Sequence, residues 1–319
     1  MYYLRNQTAY VKWNGISSNV LQIRTGTRQG GCISPFIFKL YIDNMIREVS
    51  NADILANEPP CKLGILKFSI LAYADDVVLI APSKKMLTRL YTVFINKILD
   101  LRLKLNKKKT MCMVFSKNGR YVNNDYIMLN TDKFDVCDSY KYLGYMFQSN
   151  LDDTYDIELR MNKFYAQYYS IKRSFNHVGS NALYFLFKSY VQPDYGLALW
   201  DWSVLMRKQS FKIFESAYAK ILKSIFGRNK YYSNHEIAKE KNFLLFKELC
   251  LVNQCRYFKR IMQTGKKFSV VANSFLKGGL LSNLNKILIS DFDVNFFEND
   301  LDVLKARISF VQNNLYTRI

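Results

Sequence analysis

Histidine is almost absent from this chain: His177 and His235 are the only two. The six cysteines, Cys32, Cys61, Cys112, Cys137, Cys250 and Cys255, are scattered, and no two stand in a CxxC. A Cys/His zinc site needs clustered ligands at short spacing, so the pattern argues against structural zinc. No signal peptide opens the sequence, and the thiols are expected to be reduced and the protein intracellular. No apolar run approaches the roughly 20 residues that span a bilayer, so no membrane partner is expected. Acidic residues are also scarce, with 26 Asp and Glu against 46 Lys and Arg, and none occurs before Asp43.

What is present points to a globular chain of two lobes. Apolar residues make up 49% of the 319 and charged residues 23%, enough to bury a sizeable core without the composition of disorder. The net charge of +20 favours phosphate-rich partners, because each neutralised phosphate releases counterions. A second account is compositional. Of the basic residues 31 are Lys, alongside many Asn, Ile, Tyr and Phe, as an AT-rich coding sequence gives.

The hydrophobic pattern changes character along the chain. Residues 18–25 read as a short strand leading into the loop Thr25 to Ile33. Ser34-Pro35 then supplies an N-cap and a first-turn proline for a helix to about Val49, with Phe38, Tyr41, Ile42, Met45, Ile46 and Val49 at helical spacing. Leu66 to Ala81 is apolar except for Asp75-Asp76, which predicts two strands joined by a tight turn at the carboxylates. Pro82-Ser83 caps an amphipathic helix with Leu87, Leu90, Phe94, Ile98 and Leu101 on one face. The basic turn Asn106 to Lys109 leads to a predicted strand over 111–116, and 139–147 reads as another hairpin. After Asp153 the pattern turns helical. Ile157, Met161, Phe164, Tyr168, Ile171 and Phe175 form a long stripe, with further helices near 180–191, 207–226 and 244–263. Core packing accounts for the aromatic stripes. Helix capping accounts for the acidic cluster Asp291 to Asp302 better than a metal site does.

The acidic pair carries the chemistry. Two adjacent carboxylates in an apolar hairpin repel, and burial disfavours both charged forms. Mg²⁺ resolves that cost, since it prefers carboxylate oxygens and binds substrate phosphates beside one or two protein ligands. Two such ions about 4 Å apart suit an in-line phosphoryl displacement. The bland alternative is an exposed Asp-Asp turn, because Asp is a common turn residue.

The surrounding residues favour chemistry. Tyr73-Ala74-Asp75-Asp76 resembles the catalytic box of reverse transcriptases. Gly26-Thr27-Arg28-Gln29-Gly30-Gly31-Cys32-Ile33-Ser34-Pro35, with Phe38, is similar to the box that precedes it in that family. Leu105-Asn106-Lys107-Lys108-Lys109-Thr110 resembles the family's box ending in Asn, Lys and Thr, although a glycine usual near Leu101 to Leu103 is missing. Tyr142-Leu143-Gly144 looks like the primer-grip hairpin. Gln192-Pro193-Asp194-Tyr195-Gly196 with Trp200 resembles a thumb element of retrotransposons without long terminal repeats.

The resemblance implies an α+β fold. A partial right-hand palm, antiparallel sheet with helices, would occupy residues 1–152. An all-helical thumb would follow over 153–264, and a helical tail of unassigned role over 265–319. It implies an RNA-directed DNA polymerase acting on an RNA template, a DNA primer and dNTP, with an RNA–DNA heteroduplex along the thumb. Asp75 and Asp76 would be the catalytic metal ligands for two Mg²⁺ ions, and Lys109 would serve the leaving pyrophosphate. Arg28, Gln29, Gly30, Ser34, Pro35, Tyr73 and Ala74 would line the nucleotide and template. Nuclear residence would suit an element that primes on chromosomal DNA. Family members carry a third carboxylate upstream of the Gly-Gln-Gly loop, together with fingers. Neither is expected in this chain, which therefore resembles a truncated core with impaired chemistry; the alternative is a non-catalytic nucleic-acid-binding remnant.

Overall fold

The structure, a computed structural model, describes residues 7–24, 26–52, 60–63, 66–115, 125–192 and 209–263. It is α+β, and among the described residues the strands form six separate two-stranded sheets. Strand β1 (Gln7–Ala9) pairs antiparallel with β4 (Leu21–Ile23). Between them β2 (Lys12–Trp13) and β3 (Ile16–Ser17) meet across Asn14-Gly15, both left-handed at φ 46° and 82°. Asn-Gly is the sequence that such a two-residue turn demands. The expected strand over 18–25 is thus shorter, with only Leu21–Ile23 pairing.

Helix α1 (Ser34–Asn51) buries Ile42, Met45 and Val49 on one stripe. The short strands β5 (Lys62–Leu63) and β6 (Leu66–Lys67) precede the hairpin β7 (Ile70–Tyr73) and β8 (Asp76–Leu79). Ser83 caps α2 (Lys84–Asp100) by accepting from the Met86 N–H at 3.1 Å. Its buried face is Met86, Leu90, Tyr91, Phe94 and Ile98. Leu90, Phe94 and Ile98 were expected there, whereas Leu87 and Leu101 are only half-buried.

The predicted strand over 111–116 is corrected. Cys112 makes one parallel bridge to Val136, and among the described residues, which here end at 115, no ladder extends from it. A hairpin of β9 (Tyr126–Leu129) and β10 (Asp132–Asp135) follows. Hairpin β11 (Ser139–Tyr142) and β12 (Tyr145–Gln148) matches the expected one over 139–147.

Five helices complete the described chain: α3 (Thr154–Ser174), α4 (Ser180–Tyr190), α5 (Gln209–Ile225), α6 (Asn234–Lys241) and α7 (Phe246–Gln263). The chain forms two compact units. One comprises residues 1–63, 67–110 and 128–134, and the other comprises 64–66, 111–127 and 135–319. The β11–β12 hairpin groups with the helices of the second unit. Phe164 centres that unit's core, 5.3 Å from Phe214, 5.7 Å from Phe187 and 6.0 Å from Tyr218 between ring centroids. These edge-on and stacked rings fill the core, as the stripe foretold for Ile157, Phe164 and Tyr168; Met161 and Ile171 are half-buried, and Phe175, at the helix end, is exposed. Residues 193–208 and 264–319 lie outside the described residues. That excludes most of the Gln192 to Trp200 element and all of the acidic tail.

Candidate active site

Three segments of the first compact unit carry the expected chemistry. The loop before α1 is closed by its own backbone. The Gly31 N–H donates to the Arg28 carbonyl at 3.2 Å, and the Ser34 N–H to the Gly31 carbonyl at 3.1 Å. Ser34 corrects the expectation of an N-cap. Ile33 holds the cap position without a side-chain bond, while Ser34 is the first helical residue. Its buried hydroxyl donates to the Arg28 carbonyl at 2.6 Å, fixing the loop to the helix. Pro35 sits in the first turn, where its missing N–H costs nothing. Gly30 is left-handed at φ +78° with open space where a Cβ would lie, so conformation and not crowding requires glycine there.

The acidic pair lies on a two-residue turn. Tyr73 pairs with Asp76, leaving Ala74 and Asp75 at the tip, and Ala74 is held left-handed at φ 53°. A non-glycine residue in that region is strained, a common feature where the backbone is set by function. Both carboxylates are exposed, as in the alternative reading of the pair as an Asp-Asp turn. The desolvation cost that the apolar flanks implied is avoided by the turn itself. Neither carboxylate makes a hydrogen bond or ion pair among the described residues, nor do the exposed side chains of Arg28 and Gln29. Helix α1 packs on β7 and helix α2 on β8, so one core supports both the loop and the turn.

The basic turn is held by a network that the sequence reading missed. Lys107 Nζ lies 2.5 Å from Asp132 Oδ1, and the buried Tyr91 hydroxyl donates to the other oxygen of the same carboxylate. The Lys107 contact, then the Tyr91 bond, holds the Asp132 carboxyl below its ordinary range. Burial first, and then Asp132, raises the Tyr91 hydroxyl. Lys109 is exposed, with its N–H donating to the Asn106 carbonyl at 3.1 Å. Asn130, left-handed at φ 55°, marks the hairpin turn that delivers Asp132 and was the available signal.

In the second unit, Tyr142 pairs with Tyr145 across the turn Leu143-Gly144, left-handed at φ 47° and 83°. Asp156 clamps this hairpin to α3. Its carboxylate accepts from the Met146 N–H at 3.0 Å and pairs with Arg160 at 2.6 Å, while Arg160 reaches the Gly144 carbonyl at 3.2 Å.

With this geometry in place, residues 2–147 match the family described as reverse transcriptase (RNA-dependent DNA polymerase). The chain carries a reverse-transcriptase segment. It is similar to the retrovirus-related Pol polyprotein from the type-1 retrotransposable element R2 of Popillia japonica, at 23% identity over 141 residues. That match covers 42% of this chain and 19% of the polyprotein, so the chain spans a small part of its relative. Together the two comparisons place the reverse-transcriptase segment with those of non-LTR retrotransposons. Among the described residues, no group of three His, Cys, Asp or Glu side chains is placed to share a metal ion. No described helix is long and apolar enough to cross a membrane.

Proposed function

We propose that this chain is the palm and thumb portion of an RNA-directed DNA polymerase, with the palm over 1–152 and the thumb over 153–264. The observation that carries the reading is the exposed turn at Ala74-Asp75. It presents two adjacent carboxylates without partners, supported by the same core as the Gly-Gln-Gly loop. Their hard, unengaged oxygens fit Mg²⁺, with Asp75 the principal ligand and Asp76 the second. When bound, such ions supply charge neutralisation and activate oxygen nucleophiles.

The chain's own residues do the rest. Tyr73 and Ala74 line the primer end, and Arg28, Gln29 and Gly30 face the nucleotide and RNA template over the helix opened by Ser34 and Pro35. The primer 3′-hydroxyl gives up its proton to solvent and attacks the α-phosphate of the dNTP, forming the new P–O bond as the bond to pyrophosphate breaks. Lys109 donates a proton to the departing pyrophosphate. Tyr142, Leu143 and Gly144 grip the primer, and thumb Lys and Arg residues follow the heteroduplex through phosphate and sugar.

Two carboxylates hold a pair of ions poorly, and this sequence has no Asp or Glu before Asp43. A second reading is a nucleic-acid-binding remnant without chemistry, which the net charge of +20 would serve equally well. Incorporation of labelled dNTP on an RNA template with a DNA primer, with and without Mg²⁺, separates the two. Slow Mg²⁺-dependent extension that Asp75→Asn lowers by about a hundredfold or more supports the polymerase. Extension undiminished in Asp75→Asn sinks the assignment, and duplex binding without any extension leaves the remnant.

A further inference from the structure

The turn between α3 and α4 encloses a cleft of about 400 Å³ that the polymerase reading leaves unused. Its walls include Tyr169, Lys172, Arg173, Phe175, Asn176 and Val178. Two of these are aromatic rings that a folded core would ordinarily hide. Tyr169 is 55% exposed and Phe175 40%. Tyr169 is not a loose side chain, since its ring stacks on Tyr165 at 6.4 Å and lies 5.2 Å from Tyr168. Lys172 is also braced, with Nζ 2.9 Å from Ser224 Oγ and 5.9 Å above the Tyr168 ring. The Arg173 side chain makes no hydrogen bond or ion pair among the described residues.

The segment that lines the cleft carries charge of one sign. Residues 159–193 contain no Asp or Glu, yet they include Lys163, Lys172, Arg173 and Lys188, besides the Arg160 that Asp156 neutralises. A field of that kind concentrates anions. Braced aromatic faces beside a braced lysine and an unengaged arginine are the arrangement that holds unpaired nucleotides, by stacking on the base and pairing with its phosphate. The volume lies within the roughly 300–1,000 Å³ of small-ligand sites and admits one nucleotide. A duplex offers its bases already stacked, so it would use the cations and leave the rings idle.

We propose that this cleft captures an unpaired nucleotide of a single strand, with the base against Tyr169 and Phe175 and the phosphate at Arg173 and Lys172. The proposal concerns binding in the second compact unit and stands apart from the chemistry assigned to Asp75. Fluorescence anisotropy with the full chain tests it, using a labelled ten-nucleotide oligouridine and a blunt RNA–DNA duplex at one salt concentration. Tyr169→Ala is expected to weaken the single strand on the order of tenfold while leaving the duplex within about twofold. Arg173→Gln should weaken the single strand more than the duplex. Phe185→Ala removes a comparably exposed ring of α4 outside the cleft and should change neither. Asp75→Asn should keep single-strand affinity even where extension is lost. Unchanged single-strand affinity in both Tyr169→Ala and Arg173→Gln overturns the proposal. So does an equal loss for single strand and duplex, or displacement of the oligouridine by polyglutamate at matched charge.

Discussion

Individual residues show where the backbone and the dielectric work against stability. Ala74 holds a left-handed φ of 53° at the tip of the acidic turn, where an L side chain costs about 1–2 kcal/mol. Ala74→Gly should therefore raise unfolding free energy by about 1 kcal/mol in urea titrations without increasing nucleotide incorporation. An unchanged or lowered midpoint would show that the turn is not strained. Glu248 presents a different cost. It is buried in α7, and one carboxylate oxygen finds no hydrogen-bond partner. Burial, with a smaller contribution from Glu215, holds its carboxyl above the ordinary range. A carboxyl raised on folding binds more protons in the native state. Its stabilising share is thus full below the unfolded value, near 4.5, and is lost as pH rises through the folded value. Glu248→Gln removes that dependence. Its urea midpoint should meet that of the native protein near pH 4 and exceed it at pH 7. Parallel curves across the range would rule out the protonation argument.

At the scale of elements, legibility followed how strongly local chemistry specifies a turn or a face. The hairpin at Asp75-Asp76 was readable because two β-branched and apolar runs flank a polar pair. The carboxylates' exposure was not, since a period-two pattern cannot show that the tip projects clear of its flanks. The loop before α1 was legible as a motif, yet Ser34 was assigned to the wrong partner. Serine before proline suits an N-cap, and only tertiary closure directs its hydroxyl to the Arg28 carbonyl. Residues 111–115 carry strand propensity without a partner strand among the described residues, and a single bridge results. The Asp132 network was invisible because it joins residues 25 and 41 positions apart. Asp156 is comparable, an ordinary helical Asp in sequence that proves to fasten the β11–β12 hairpin to α3. It is 3% exposed and holds both Arg160 and the Met146 N–H. Asp156→Ala strands a guanidinium and an amide, and should cost about 3–5 kcal/mol of stability. Hydrogen exchange should speed up first in residues 139–148. A loss below about 1 kcal/mol would mean that solvent replaces the carboxylate freely.

For the whole molecule the open question is what the net charge of +20 does. The comparisons place residues 2–147 in a family of nucleic-acid polymerases, yet a Lys-rich composition produces excess charge with or without a partner. The two origins differ in geometry. Charge selected for a strand is gathered where phosphates lie, as in the acid-free stretch 159–193, while charge from composition is scattered. Counterion release distinguishes them, because only cations that contact phosphates together contribute to the salt dependence of one binding event. A gathered surface touching about 6–10 phosphates loses roughly 10³–10⁵ in affinity for an RNA–DNA duplex between 50 and 200 mM salt. Scattered charge engages one or two phosphates at a time, so affinity would change by only about tenfold or less over that range. Anisotropy across that salt series, with a duplex of about 15 base pairs, should give the steep dependence. A shallow one would assign the charge to composition and leave recognition to the aromatic cleft and the loop before α1.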